Sequence, residues 1–463
     1  MNLERLVAAL EPAELAGAPV DVLDLAYDAR VVSPGALFFC VPGQRADGHD
    51  FAEEALERGA AALVVERRLP LEVAQVIVAD ARAAMAPAAD VFFGEPTTEL
   101  QVAGVTGTSG KTTTSFLLFA ILAAAGRRPG LLGTIEARVG GERRAVQRTT
   151  PEAIDLQRTF REMLDAGDRS CAMEASSHAS ALHRLDRTRF AALVFTNLSQ
   201  DHLDFHADME DYFQAKRRLF LEGSPPAAVN VGDEWGRRLA AELPDALTFG
   251  FADEAAIGPE ALHGVDLKLR GRFNVENALG ALAAARLLGI EEAAIERGLE
   301  SVRGVPGRFE AVDEGQSFTV VVDYAHKPGA LENVLRASRD LAAGHRVICV
   351  FGAGGDRDRG KRPQMGRLAS ELADVAIVTS DNPRSEDPDA IIAEIVAGTT
   401  RGVEVIAERA AAIARAVELA EPGDVVLIAG KGAEQGQEIA GRIVPFDDKE
   451  VARDALRALR AAS

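Results

Sequence analysis

The chain has 463 residues, 47% of them hydrophobic and 26% charged, enough for several buried cores but too long for one compact domain. Its 51 Lys and Arg are outnumbered by 71 Asp and Glu, and the net charge of −20 repels nucleic acid and anionic lipid, so any anionic ligand has to be captured locally. Cys40, Cys171 and Cys349 lie far apart in apolar, strand-like runs, which excludes a disulfide or zinc framework and points to buried thiols in a reducing compartment. With no secretory leader pattern and no apolar run of the roughly 18 residues that a membrane helix needs, a soluble cytoplasmic protein is expected, without nucleic-acid or membrane partners.

In chain order, residues 1–92 alternate apolar runs such as Ala36-Leu37-Phe38-Phe39-Cys40-Val41 with turn clusters such as Pro42-Gly43-Gln44, predicting a small α/β unit. In the second unit, 93–303, a strand at 101–105 runs into Gly107-Thr108-Ser109-Gly110-Lys111-Thr112, and the Ala/Leu-rich stretch 113–125 predicts a helix closed by Gly126. This unit continues in βα alternation, with a strand at 190–195 and a helix at 274–288. The third, 304–463, shows strands at 317–322, 346–351, 375–379 and 425–428 separated by helical patterns. The expected fold class is α/β in three domains: a central P-loop ATPase-type sheet lies between the N-terminal unit and a C-terminal doubly wound, Rossmann-like sheet.

Strand, glycine-rich loop and helix are the context in which main-chain N–H groups and a helix N-terminus cradle phosphate. Lys111 is placed to reach the outer phosphates and Thr112 to ligate Mg²⁺. The loop fits a short Gly-x-x-Gly-Lys-Thr variant, since Val105 stands where the longer pattern has its first glycine. Only seven of the basic residues are lysines (111, 216, 268, 327, 361, 431 and 449), so a lysine kept beside arginines marks a need for a compact ammonium or a neutralisable amine. Thr196-Asn197-Leu198-Ser199-Gln200-Asp201-His202 and Met173-Glu174-Ala175-Ser176-Ser177-His178 each follow a predicted strand and offer carboxylate and imidazole for a second Mg²⁺ site.

These motifs occur in one order with Thr149-Thr150-Pro151-Glu152, Phe273-Asn274-Val275-Glu276-Asn277-Ala278, Val305-Pro306-Gly307-Arg308-Phe309-Glu310, Val322-Asp323-Tyr324-Ala325-His326 and Gly354-Gly355-Asp356-Arg357-Asp358-Arg359-Gly360-Lys361-Arg362-Pro363. From about residue 20 to residue 450 the sequence resembles the Mur ligase family, and within it the branch that adds the third residue of the peptide. The resemblance implies an N-terminal domain for the uridine nucleotide, a central ATPase domain and a C-terminal domain for the incoming amino acid, closing on each other around one reaction centre. It implies a monomer that uses ATP to activate the terminal carboxylate of UDP-N-acetylmuramoyl-L-alanyl-D-glutamate as an acyl phosphate, which an amine then attacks.

On the same resemblance Gly107, Thr108, Ser109, Gly110, Lys111, Thr112, Thr113, Asn277, Arg308 and Asp323 contact ATP. Thr112, Glu174 and His202 match metal positions, and Lys216 the site of a carbamylated lysine, so Lys111, Lys216 and His202 count as catalytic. Thr149, Thr150, Ser176 and Arg184 match contacts to the nucleotide-linked peptide. Asp381-Asn382-Pro383-Arg384 resembles the signature of the meso-2,6-diaminopimelate-adding branch, with Arg357, Gly430 and Glu434 completing the amino-acid site. A guanidinium at Arg384 can grip the distal carboxylate that lysine lacks. The sequence departs from the family at Ala29, Leu182, Lys327, Gly329 and Ala433, where altered affinity is expected and not lost chemistry. Three other readings are weighed: the same reaction with L-lysine, a P-loop ATPase without an amino-acid acceptor, and a catalytically silent nucleotide-binding protein.

Overall fold

The structure is a computed structural model that describes residues 1–10, 13–18, 20–43 and 46–462; Gln44 of the predicted turn lies outside these. Three sheets follow one another along the chain. The first contains β1 (Ala13–Ala16), β2 (Asp24–Ala26), β3 (Ala36–Phe39), β4 (Ala62–Val65) and β5 (Ala74–Val78) in the order β1-β5-β4-β3-β2, with only β1 antiparallel.

The second has eight strands: β6 (Gln101–Thr106), β7 (Pro129–Leu132), β8 (Ala137–Val139), β9 (Glu142–Arg144), β10 (Ser170–Glu174), β11 (Phe190–Phe195), β12 (Ala227–Asn230) and β13 (Leu247–Phe249). Their order is β13-β12-β11-β6-β10-β7-β8-β9. β6 sits between two parallel partners, with Glu174 of β10 opposite Val105 and Phe195 of β11 opposite Thr106. The carboxyl ends of three adjacent strands therefore open on one crevice, where ligands of open α/β sheets bind.

The third sheet is β14 (Glu310–Val312), β15 (Thr319–Asp323), β16 (Val347–Phe351), β17 (Val375–Val378), β18 (Glu404–Val405) and β19 (Val425–Ala429), ordered β14-β15-β19-β16-β17-β18 and parallel except for β14. The hairpin β20 (Gly436–Ile439) and β21 (Arg442–Pro445) stands outside it. The strands expected in this unit are all present, within two residues of their predicted ends. The short antiparallel additions β8, β9, β20 and β21 were not anticipated; β9, with its exposed Glu142, Arg143 and Arg144, lacks the apolar alternation that marks a strand.

Core strands are apolar runs because helices cover both faces of a parallel sheet. Val102, Val105, Ala172, Met173, Leu193 and Val194 have no exposed surface. On one face the helix Lys111–Ala124, which carries Lys111 and Thr112 in its first turn, packs against helices Arg272–Leu287 and Glu292–Ser301. Contact with the latter is close enough that a Cβ on Gly298 would lie 2.4 Å from the Ile121 Cα. All three cysteines are buried free thiols, and burial pushes Cys40 and Cys349 up to about 12, so thiolate chemistry is suppressed.

Gly298→Ala forces two helix backbones apart and is expected to destabilise the protein by about 1–3 kcal/mol, read as a lower urea midpoint by circular dichroism. An unchanged midpoint would mean that this packing is not tight.

Candidate active site

A cavity of about 570 Å³ lies where the carboxyl ends of β6, β10 and β11 face the chain after β15. Its floor is the glycine-rich loop between β6 and the helix at Lys111. Two glycines make the loop possible: Gly107 has φ 143° and a Cβ there would lie 1.9 Å from Thr196 Oγ1, while Gly110 has φ 88° and a Cβ would lie 2.3 Å from Asn277 Oδ1. Thr196 and Asn197 lock the loop from the end of β11: the Asn197 Oδ1 accepts from Ser109 N at 3.0 Å, and Thr196 Oγ1 donates to Ser109 O at 2.7 Å.

Two lysine side chains meet on one carbonyl oxygen. Lys111 Nζ donates to Gly107 O at 2.8 Å and to Thr108 O at 3.0 Å, and Lys216 Nζ donates to the same Gly107 O at 2.9 Å. Burial, then the charge of Lys327, brings Lys111 down to about 8. Burial, then the charge of Lys111, drives Lys216 well below the usual lysine range, a shift in the direction of the neutral amine. Its nearest aromatic neighbour is the Tyr212 ring, 4.7 Å away.

Around this pair the walls are polar. Glu174, at the end of β10, accepts from Thr134 N at 2.7 Å, and its second oxygen accepts from Thr134 Oγ1 at 3.1 Å. The His202 Nε2 lies 2.8 Å from Asp201 Oδ2, an oxygen that also meets Lys327 Nζ. Burial alone would raise Asp201, but Lys327 and His202 hold its carboxyl well below the usual range. Burial lowers His202 against the pull of Asp201, and it takes His178, whose ring stands 4.7 Å away, down to about 4.

Arg308 reaches in from the segment before β14, donating to Thr112 Oγ1 at 3.1 Å with its guanidinium 4.3 Å over the Tyr324 ring. Asp323, at the end of β15, accepts from Phe309 N and Ala325 N, both at 2.7 Å, and burial raises it to about 6 against the opposing charge of Arg308. The far end of the cavity is more apolar, with Phe249, Phe273, Ala330 and Val334 beside Asn277.

The expected contacts to the nucleotide-linked peptide form the opposite wall. Thr150 Oγ1 lies 2.8 Å from Glu174 O and 3.2 Å from Ser176 Oγ, and Thr149 Oγ1 lies 3.0 Å from Thr134 Oγ1. Arg184 donates to Thr150 O at 3.3 Å and pairs with Glu152 at 2.8 Å, while its buried Nε has no partner among the described residues.

A second cavity of about 210 Å³ adjoins the first and shares His202, Tyr324, His326, Lys327 and Arg357 with it. It is lined by Arg357, Asp381, Asn382, Arg384, Gly430 and Glu434, carried on loops after β16, β17 and β19. Buried Lys431 donates to Asn382 Oδ1 at 2.7 Å, and Asn382 Nδ2 donates to Glu434 Oε2 at 2.9 Å, which fixes the amide. Arg384 donates to Gly355 O at 2.6 Å and to Glu438 at 3.1 Å, so it both lines the cavity and is a loop salt-bridge partner.

Most of the anticipated residues thus converge on two joined cavities. Gly107 contributes only its carbonyl, and Pro383 does not line the cavity; its carbonyl underlies Gly355. Lys431 and Thr134 were not anticipated as site residues; Asp201 stood only within a polar segment and Lys361 only as a lysine kept beside an arginine, and four of the seven lysines, 111, 216, 327 and 361, line the cavities. The donor set fits a hard cation: Thr112, Glu174 and His202 line one cavity, and Mg²⁺ ordinarily takes few protein ligands and completes its shell with phosphate oxygens and water. Among the described residues no three His, Cys, Asp or Glu side chains cluster as ligands by themselves, nor is any helix long and apolar enough to cross a membrane.

Comparison with known proteins agrees with this geometry. Residues 24–93 match the Mur ligase family catalytic domain, 105–285 the Mur ligase middle domain and 307–432 the Mur ligase glutamate ligase domain. The chain belongs to the Mur ligase family. It is 44% identical to the UDP-N-acetylmuramoyl-L-alanyl-D-glutamate--2,6-diaminopimelate ligase of Solibacter usitatus over 99% of this chain and 98% of that protein. The protein of the same name from Geobacillus thermodenitrificans is 45% identical over 96% of both chains. A solved structure of a ligase of that name, 31% identical, superposes with a TM-score of 0.65 over 95% of each chain.

Lys111 binds protons less tightly in the folded chain than in the unfolded one, so the buried ammonium destabilises the ligand-free fold below about pH 8. That cost fades as pH rises from about 8 towards the ordinary lysine value. Lys111→Met is expected to gain stability relative to wild type at pH about 7 and to lose that advantage by pH about 10.5 in thermal melts. A pH-independent difference would contradict the burial argument.

Proposed function

We propose that this protein is the ATP-dependent ligase that joins meso-2,6-diaminopimelate to UDP-N-acetylmuramoyl-L-alanyl-D-glutamate in the synthesis of peptidoglycan precursors. The observation that carries this reading is the pair of joined cavities, a phosphate cradle on one side and a carboxylate- and ammonium-binding set on the other. In this reading residues 1–92 hold the uridine nucleotide, 93–303 bind ATP and 304–463 bind the amino acid. The names carried by the relatives at 44% and 45% identity support the same substrates.

The chemistry follows from the arrangement. A carboxylate is a poor electrophile, so ATP first transfers its terminal phosphoryl group to it, giving an acyl phosphate. Gly107 to Thr113 cradle the phosphates, with Lys111 released from its loop carbonyls to follow the transferred charge and Arg308 beside Thr112 facing the same oxygens. Asn277 and the Phe249–Phe273 end receive the base, and Asp323 the ribose. Thr149, Thr150, Ser176 and Arg184 orient the peptide carboxylate towards the cradle, so that much of the barrier is met by positioning. Thr112, Glu174 and His202, with a carbamate on Lys216, would hold Mg²⁺, which supplies neutralisation of crowded phosphoryl and carboxylate charge. In the second cavity Arg384 and Arg357 take carboxylates and Glu434 takes an ammonium. The amine attacks the acyl carbon, the tetrahedral intermediate collapses and phosphate leaves. Domain closure keeps water from the acyl phosphate.

Purified protein supplied with ATP, the nucleotide dipeptide and each amino acid in turn is expected to form an amide with diaminopimelate and far less with L-lysine. Arg384→Ala should raise the KM for diaminopimelate by about 10- to 100-fold, the range of a lost charged hydrogen bond, with the KM for ATP little changed. Faster reaction with L-lysine in the wild type, or an unaffected Arg384→Ala, would reverse the assignment.

Carbamylation requires a neutral amine, and the buried environment of Lys216 shifts it in that direction. Protein equilibrated with ¹³C-bicarbonate should show a carbamate carbon resonance that disappears in Lys216→Ala. Its absence from wild type would leave Lys216 a plain buried lysine.

A further inference from the structure

We propose that His326 is the catalytic residue that takes a proton from the incoming amine as it attacks the acyl phosphate; the proposal rests on the ligase reading above. An amino acid arrives as an ammonium with no lone pair to offer, and none of the residues assigned so far removes its proton. The acceptor has to stand where the amino-acid cavity opens into the ATP cavity, and the residues common to both are His202, Tyr324, His326, Lys327 and Arg357. Four of them are unsuited. Arg357 is a guanidinium and does not give up its charge. Lys327 is ion-paired with Asp201, and the Nε2 of His202 is set against the same carboxylate. Burial raises the Tyr324 phenol, so it stays protonated.

His326 differs in its hydrogen bonding. Its Nδ1 lies 2.7 Å from the carbonyl oxygen of Tyr324, its own second neighbour, and a carbonyl only accepts, so Nδ1 carries the hydrogen. That leaves the lone pair on Nε2, for which there is no hydrogen-bond partner among the described residues. The ring is steadied by an edge contact with the Tyr324 ring, centroids 4.5 Å apart. The charged groups that act on it are Lys327, Lys361 and, with opposite sign, Asp201; burial and the two lysines keep the imidazole neutral and able to accept. Anionic substrate offsets those lysine charges, so the imidazole becomes a better base when both cavities are filled.

The step balances. One ammonium proton passes to Nε2, the freed electron pair forms the C–N bond, and the C–O bond to the phosphoryl group breaks with its electrons leaving on phosphate. The second nitrogen proton and the one held on Nε2 both end on the departing phosphate, giving an amide, dihydrogen phosphate and a neutral imidazole.

Hydroxylamine separates this role from the others, because it is already largely unprotonated at neutral pH and captures the acyl phosphate as a hydroxamate without needing a base. For His326→Ala and His326→Gln, amide formation with diaminopimelate should fall about 100-fold or more, while hydroxamate formation from ATP, nucleotide dipeptide and hydroxylamine stays within about threefold of wild type. Loss of both products in parallel would assign His326 to folding or to acyl phosphate formation, and retention of both would show that it is dispensable; either overturns the proposal. A wild-type protein that makes hydroxamate but no diaminopimelate amide overturns the acceptor reading and this proposal together. Wild-type ligation with unaffected variants overturns this proposal alone.

Discussion

Two lysine side chains converging on the carbonyl of Gly107 are the constraint on which the site depends. Among the described residues neither has a carboxylate in direct contact, and desolvation of an ammonium is costly unless it is paired. The fold meets that cost in two ways: burial shifts Lys216 towards the neutral amine, and Lys111 donates to two main-chain oxygens while Glu174 and Asp201 favour its charge from a distance. Both solutions leave a centre that is short of negative charge. In the proposed reading a polyphosphate, or a carbamate on Lys216, would supply what is missing. A protein with a net charge of −20 would thereby hold a local anion site that its overall field opposes.

That centre is completed from a distant part of the chain. Arg308 meets Thr112, Lys327 meets Asp201, Gln200 meets Asp358 and Arg357 faces Asp204, all linking the end of the second sheet to the third. Each contact is polar and lies at the cavity rim or between the cavities, the kind of interface that can loosen and re-form. The two carboxyl-end crevices share one pair of joined cavities. In the proposed reading one sheet presents phosphate chemistry and the other the amine, so an acyl phosphate formed between them would have its nucleophile already held nearby.

Three of the positions expected to depart from the family pattern bear unequally on this arrangement. Lys327 lies at the junction itself and shapes the charge felt by Lys111, Asp201 and His326, so it alters the site more than its place on a loop suggested. Ala29 is buried in the first unit and brings no hydroxyl to it. Gly329 is exposed near the start of the helix Pro328–Ala342, where a Cβ would lie 3.9 Å from Ser199 Oγ.

The sequence by itself determined the strands that run into the site at 101–105 and 190–195, the four strands marked in the third unit and the glycine-rich loop, because these are set by local periodicity and by motifs a few residues long. Glu174 and His202 could be picked out there, while Asp323 and Arg384 came from the family resemblance. Only the tertiary structure decided which groups touch. That Asp201 would meet Lys327 depends on loops of different sheets, that Lys431 would set the Asn382 amide depends on two loops of the third sheet, and that the His326 Nε2, without a partner among the described residues, would stand between two cavities depends on both sheets meeting. Spacing along the chain carries no record of those distances, whereas burial and charge, which set the protonation of every group in the site, exist only once the sheets have come together.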